Sequence, residues 1–91
     1  MKIIVEHDWY DEFENWEEAK SHFSTHRSKK YKIIEEHQVI YYLVDLPYLP
    51  MEGQRVGTPY ATCIVTHSYL NLDDFSEDFY FDNSRIVVTV E

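Results

Sequence analysis

His22 and His26 stand four residues apart in "SHFSTH", a spacing that turns two imidazoles to the same side of a helix, where they could share a metal ion. His7, His37, His67 and the one cysteine, Cys63, are the side chains that could complete a zinc site. The pattern is incomplete. No Glu follows His22, so the zinc-protease helix motif is absent, and no paired-cysteine knuckle exists. On a helical wheel both histidines fall at the edge of the apolar arc beside Glu18. A helix-end pair that suits the dipole, with a Glu18–His22 contact, accounts for them without a metal. The expectation is no cofactor and no metal, with His22 and His26 the candidates if one binds.

Cys63 beside a histidine would be a nucleophile pair, yet in "ATCIV" it shares a strand face with Ala61 and Val65. A small buried cysteine is the commoner outcome at such a position. Calcium binding by "NLDDFSEDFYFDN" fails on pattern, because Phe75 stands where an oxygen ligand is required and the central glycine is missing. Asp74 and Asp78 are paired carboxylates, but nothing builds an apolar pocket around one of them to separate acid from base. Gly53 and Gly57 lack the Lys-Ser/Thr that completes a phosphate-cradling loop. No catalytic constellation emerges, and the chain reads as non-enzymatic.

The elements that would position these residues follow from periodicity. "KIIVEH" reads as a first strand. "DEFENWEEAKSHFSTH" places Phe13, Trp16, Ala19 and Phe23 in one arc about 120° wide, the signature of an amphipathic helix. Asp11 with Glu14 has the spacing of a capping box. "KYKIIEEHQVIYYLVDL" reads as a hairpin turning near Glu36–Gln38. Its second strand is apolar on both faces, with Val39, Tyr41 and Leu43 on one and Ile40, Tyr42, Val44 and Leu46 on the other, so it should be central. "PYLPMEGQRVGTP" holds every proline and glycine of the chain and reads as a long loop. "YATCIVTHSYL" is another strand, and "DFYFDNSRIVVTVE" a closing hairpin after a possible helical turn at Leu72–Phe75. The expected fold is α+β, one small acidic domain over residues 1–91. It has a mainly antiparallel sheet of about five to six strands and one amphipathic helix on one face, in the order β-α-β-β-β-β-β. One helix cannot cover both sheet faces, so the second apolar face needs the long loop, a second copy or a partner.

The strongest global feature is charge. The formal net charge is −9, and the basic residues concentrate in "RSKKYK" (Arg27, Lys29, Lys30, Lys32) while the segments on either side are acidic. Such a chain repels phosphate backbones, which disfavours direct nucleic-acid binding, and favours encounter with a basic protein. Asp11, Glu14 and Glu18 lie within about 60° on the wheel, opposite the apolar arc. Asp73, Asp74, Glu77 and Asp78 form a second cluster, interleaved with aromatics. Carboxylates at several-ångström intervals imitate the phosphates of nucleic acid and can occupy a basic cleft. In size and charge the chain resembles the small acidic inhibitors of phages, plasmids and toxin–antitoxin loci, an analogy that rests on no motif.

The expected function is therefore a cytoplasmic protein-interaction module: an acidic, nucleic-acid-mimicking, anti-defence or immunity-type inhibitor of a basic nucleic-acid-processing protein. A solvated acidic surface that serves solubility alone is the bland alternative. Another is a homo-oligomeric accessory subunit with a tyrosine-rich sheet face of Tyr41, Tyr42, Tyr69 and Tyr80. A metal-dependent activity at His22 and His26 is a third. The single cysteine, the absence of an 18-residue apolar run and a first segment without a signal-peptide core point to a reducing cytoplasm.

Overall fold

The computed structural model describes residues 1–70 and 84–91. Among these the order is β1 (Lys2–His7), α1 (Trp16–Ser24), β2 (Lys32–Ile34), a 3-10 turn (Glu35–His37), β3 (Val39–Asp45), β4 (Arg55–Gly57), β5 (Thr62–Tyr69) and β6 (Ser84–Val90). The strands form one six-stranded sheet in the order β2-β3-β1-β6-β5-β4. The fold is α+β and sheet-dominated, as the periodicity implied, but the sheet is mixed. β1 pairs parallel with β6 and antiparallel with β3. A parallel neighbour so far along the chain leaves no local signature, since only turn-linked antiparallel pairs announce themselves in sequence.

Alternation along β1 sends Ile3, Val5 and His7 to one face and Ile4 and Glu6 to the other. The first face meets Tyr42 on β3, Ile86 and Val88 on β6, and Cys63 and Val65 on β5 in a continuous core. α1 lies over one end of this face through Trp16, Ala19 and Phe23, joined by Trp9 and Ile40. The segment between β3 and β5 covers the rest, with Leu46, Leu49 and Val56 packed on the core. The long loop therefore shares the helix's face rather than covering the opposite one. It also contains β4, a strand too short to read between proline and glycine. Gly53 at φ +88° closes a turn in which the Gln54 amide donates to the Met51 carbonyl, a conformation that favours glycine. On the opposite face Ile4 and Tyr41 are buried, with Ile34 and Val39 against them.

Both edge strands, β2 and β4, are three residues long, which limits edge-to-edge pairing. A bulge between Val65 and His67 is closed by the Thr66 hydroxyl, which donates to the Val87 carbonyl at 3.1 Å. The hairpin turn falls where expected, with Gln38 in the left-handed region at φ 53°.

The helix begins later than the Asp11–Glu14 spacing suggests. Asn15 is extended (φ −154°, ψ 169°), and its Oδ1 accepts the Glu18 amide at 2.9 Å, so Asn15 is the cap. Asp11 and Glu14 precede the helix, and the helical carboxylate stripe of Asp11, Glu14 and Glu18 does not form as such. The expected tyrosine face also changes. Tyr42 points into the core under the helix and Tyr41 is buried on the other face, so neither is exposed. Tyr80, the turn at Leu72–Phe75 and the first strand of the closing hairpin lie outside the described residues.

Phe23 is buried at the centre of the helix–sheet contact, whereas Asn15 acts through one cap hydrogen bond. Phe23→Ala should lower stability by about 3–5 kcal/mol and Asn15→Ala by about 1 kcal/mol in urea titrations. Equal losses would contradict this division between packing and capping.

Candidate functional site

The segment from Asp8 to Glu18 carries six carboxylates and no Lys or Arg. Its course is set by apolar anchors at each end. Trp9 is buried and its indole Nε1–H donates to the Gln38 carbonyl at 2.9 Å, tying the segment to the β2–β3 turn. The Phe13 amide donates to the Trp9 carbonyl at 3.0 Å, closing one turn, before Asn15 resets the chain into α1. On the far side the Tyr60 hydroxyl donates to a Glu12 carboxylate oxygen, joining the segment to the turn before β5. Burial and this bond push the Tyr60 hydroxyl up to about 12.

What these anchors leave outward is a ridge. Asp11, Glu14 and Glu18 are exposed and make no ion pair among the described residues. Glu17 pairs with Lys20 at 3.3 Å, and Lys20 reaches Glu35 at 2.6 Å, which draws the acidic Glu35–Glu36 turn to the same side. Tyr10 projects from the ridge at 66% exposure, its ring stacked on Trp9 at 4.2 Å between centroids. Three expected site residues, Asp11, Glu14 and Glu18, therefore share the exposed segment despite the loss of the helical stripe. Asp73, Asp74, Glu77 and Asp78 lie outside the described residues.

Trp9, Tyr10, Glu12 and Tyr60 were not legible as site residues. Trp9-Tyr10 directly after an alternating strand was the available signal, since an aromatic pair past a strand end must either cap the core or stand out from it.

Beneath α1 lies a second cluster. His7 continues the inward alternation of Ile3 and Val5, and its ring packs 5.1 Å from Phe23 and 5.2 Å from Tyr31. His22 packs against Tyr60 at 4.9 Å and Phe13 at 5.2 Å. His22 and His26 do come together, their ring centroids 6.2 Å apart. His26 Nδ1 accepts the Ser28 amide at 3.2 Å. The buried Nε2 atoms of His7 and His22 have no hydrogen-bond partner among the described residues. The Tyr31 hydroxyl lies near Thr58 and the Tyr60 backbone without a hydrogen bond of ordinary geometry, and burial pushes it up. Cys63 is fully buried, and burial likewise pushes its thiol up, the wrong direction for a nucleophile. His37 is exposed on the turn and His67 on the opposite sheet face. Among the described residues no three His, Cys, Asp or Glu side chains converge to hold a metal ion. No described helix is long and apolar enough to cross a membrane.

No family model, curated protein or solved structure matches this chain.

The buried imidazole makes stability depend on pH. Burial, helped by His26, pushes His7 down to about 4 from an ordinary value near 6.5. Below pH about 6.5 the unfolded chain binds a proton that the folded chain refuses, so stability falls until about pH 4, by about 3 kcal/mol in all. Glu6 acts in the opposite sense, because burial raises its carboxyl and the folded state takes up its proton first as pH falls. Comparison with His7→Phe isolates the histidine. Urea titrations from pH 7 to pH 4 should show a smaller loss in the variant than in the parent, and parallel curves would exclude His7 as the source.

Proposed function

We propose that this protein is a non-enzymatic interaction module, an acidic inhibitor that occupies the basic surface of a nucleic-acid-processing protein. The observation that carries the reading is the ridge between Asp8 and Glu18. Its backbone is held on two sides by Trp9–Gln38 and Tyr60–Glu12, while Asp11, Glu14, Glu18 and Tyr10 remain outward. Carboxylates on a fixed backbone lose little freedom when a partner docks, so more of their attraction survives as affinity. A net charge of −9 adds long-range steering toward a basic surface. Tyr10 supplies the aromatic that interface hot spots favour. Asp73, Asp74, Glu77 and Asp78 belong to this proposal through their charge. A phage, plasmid or immunity setting and a cytoplasmic location fit the same reading.

A second reading is self-association across the sheet face opposite α1, favoured by Leu43 at 49% and Tyr69 at 45% exposure. A monomer by sedimentation at micromolar concentration removes it.

The main reading is tested by capturing the partner from the native host and titrating it. Joint replacement of Asp11, Glu14 and Glu18 by Asn or Gln should weaken binding tenfold or more at about 50 mM salt and leave the unfolding midpoint nearly unchanged. Parent affinity should fall steeply toward about 500 mM salt, as charge-driven association does. Salt-insensitive binding, or binding indifferent to the three replacements, contradicts the proposal.

A further inference from the structure

On the sheet face opposite α1, the end of β1 meets β5 and β6 around a cleft of about 290 Å³. Its walls include Glu6, Asp8, Tyr10, His67, Tyr69 and Arg85. Asp8, Trp9 and Tyr10 are at once a wall of this cleft and the first residues of the acidic ridge.

The cleft already holds one guanidinium. Arg85 sits with its Cζ 4.6 Å from the centre of the Tyr69 ring, and its Nη1 is 3.5 Å from Glu6 Oε1. A carboxylate and an aromatic face thus take the two recognition modes of a guanidinium, ion pairing and stacking. Tyr69 is itself held, its ring lying within 7° of parallel to His67. Among the described residues the carboxylates of the cleft, Glu6 and Asp8, outnumber its one guanidinium, Arg85. Asp8 and Tyr10 repeat the pairing of carboxylate and ring. Asp8 Oδ1 accepts the Tyr10 amide at 3.3 Å, which uses one of the carboxylate's acceptor positions and fixes the ring's base. Tyr10 stacks on Trp9 with one face and stays largely exposed.

We propose that this cleft receives an arginine side chain of the basic partner, stacked on Tyr10 and paired with Asp8. The proposal rests on the reading of the ridge as a docking surface for a basic protein and names the side chain recognised beside it. Arginine suits the site better than lysine because a planar, weakly hydrated guanidinium stacks on an aromatic ring, whereas an ammonium keeps its water. The volume suits one long side chain, being at the lower bound of sites that enclose whole small-molecule ligands. An anion is disfavoured, since Arg85 is matched by Glu6 and the remaining charge is negative.

The test is an NMR titration of the full chain with Nα-acetyl-arginine amide, and with the corresponding lysine and citrulline amides. The arginine probe should shift the Trp9 indole, Tyr10 and Tyr69 resonances saturably. Lysine should bind more weakly, and the uncharged citrulline should not bind. Asp8→Asn, which keeps the oxygen that accepts the Tyr10 amide, and Tyr10→Ala should each weaken the arginine probe by about fivefold, the scale of one exposed ion-pair or cation–π contact. The double variant of Glu14→Gln and Glu18→Gln should leave this titration within about twofold, because those side chains stand away from the cleft. Citrulline matching arginine, or Asp8→Asn and Tyr10→Ala without effect, overturns the proposal. If the arginine probe fails while the captured partner still requires Asp11, Glu14 and Glu18, the cleft proposal falls and the ridge reading stands.

Discussion

Among the described residues a single nine-residue helix has to close one face of a six-stranded sheet. Strands about 4.8 Å apart make that sheet about 24 Å wide, and a helix about 10 Å across covers less than half of it. Most features of the molecule follow from this shortfall. The β3–β5 connection must lie on the helix's side, with Leu46, Leu49 and Val56 closing the remainder of the core. Trp9 must extend the helix's coverage from just beyond β1, and its buried indole then needs a hydrogen-bond acceptor, which the Gln38 carbonyl supplies. The stretch from Trp9 to Asn15 is left to cross the molecule as surface, held by what it buries.

That crossing is where the acidic character becomes structural. Trp9, Phe13 and Trp16 turn inward, so the residues between them, Tyr10, Asp11, Glu12, Glu14 and Asn15, can only turn outward. Mutual repulsion among carboxylates disfavours a compact state, and the segment is held by its aromatic anchors and by the Glu12–Tyr60 and Glu17–Lys20–Glu35 contacts. The exposed pairs contribute little each. A surface assembled against its own repulsion relaxes when an opposite charge meets it, the physical basis for reading it as a docking site. The cluster beneath the helix belongs to the interior instead. His7, His22 and Tyr31 fill space among aromatics, and the buried imidazole of His7 makes this part of the core sensitive to acid.

Local periodicity carried much of this. The short apolar run in "KIIVEH" marks β1, the helical spacing of Trp16, Ala19 and Phe23 marks α1, and two apolar faces mark β3 as internal. The helix start was ambiguous because Asp11–Glu14 and Asn15–Glu18 share one spacing. Burial of Trp9, with Phe13 packed beside it in a separate turn, decides between them, and that is a tertiary effect. β4 was hidden because three residues, the last of them a glycine, carry no period, and the β1–β6 pairing because parallel partners need no linking turn. The oligomer alternative groups Tyr41 and Tyr42 on one face, although adjacent strand residues face opposite ways and one of them has to enter the core. His7 was read as a possible ligand, although its alternation with Ile3 and Val5 already placed it inward. Asp11, Glu14 and Glu18 survive as a group for a different reason from the wheel that first grouped them.

The most direct measurement is hydrogen–deuterium exchange on the complex with the captured basic partner. Protection should centre on Asp8–Glu18 and the Glu35–Gln38 turn, where the ridge and its anchor lie. Protection confined to the basic Arg27–Lys32 stretch, or to the loop around Tyr48 and Met51, with Asp8–Glu18 exchanging as in the free protein, would contradict it.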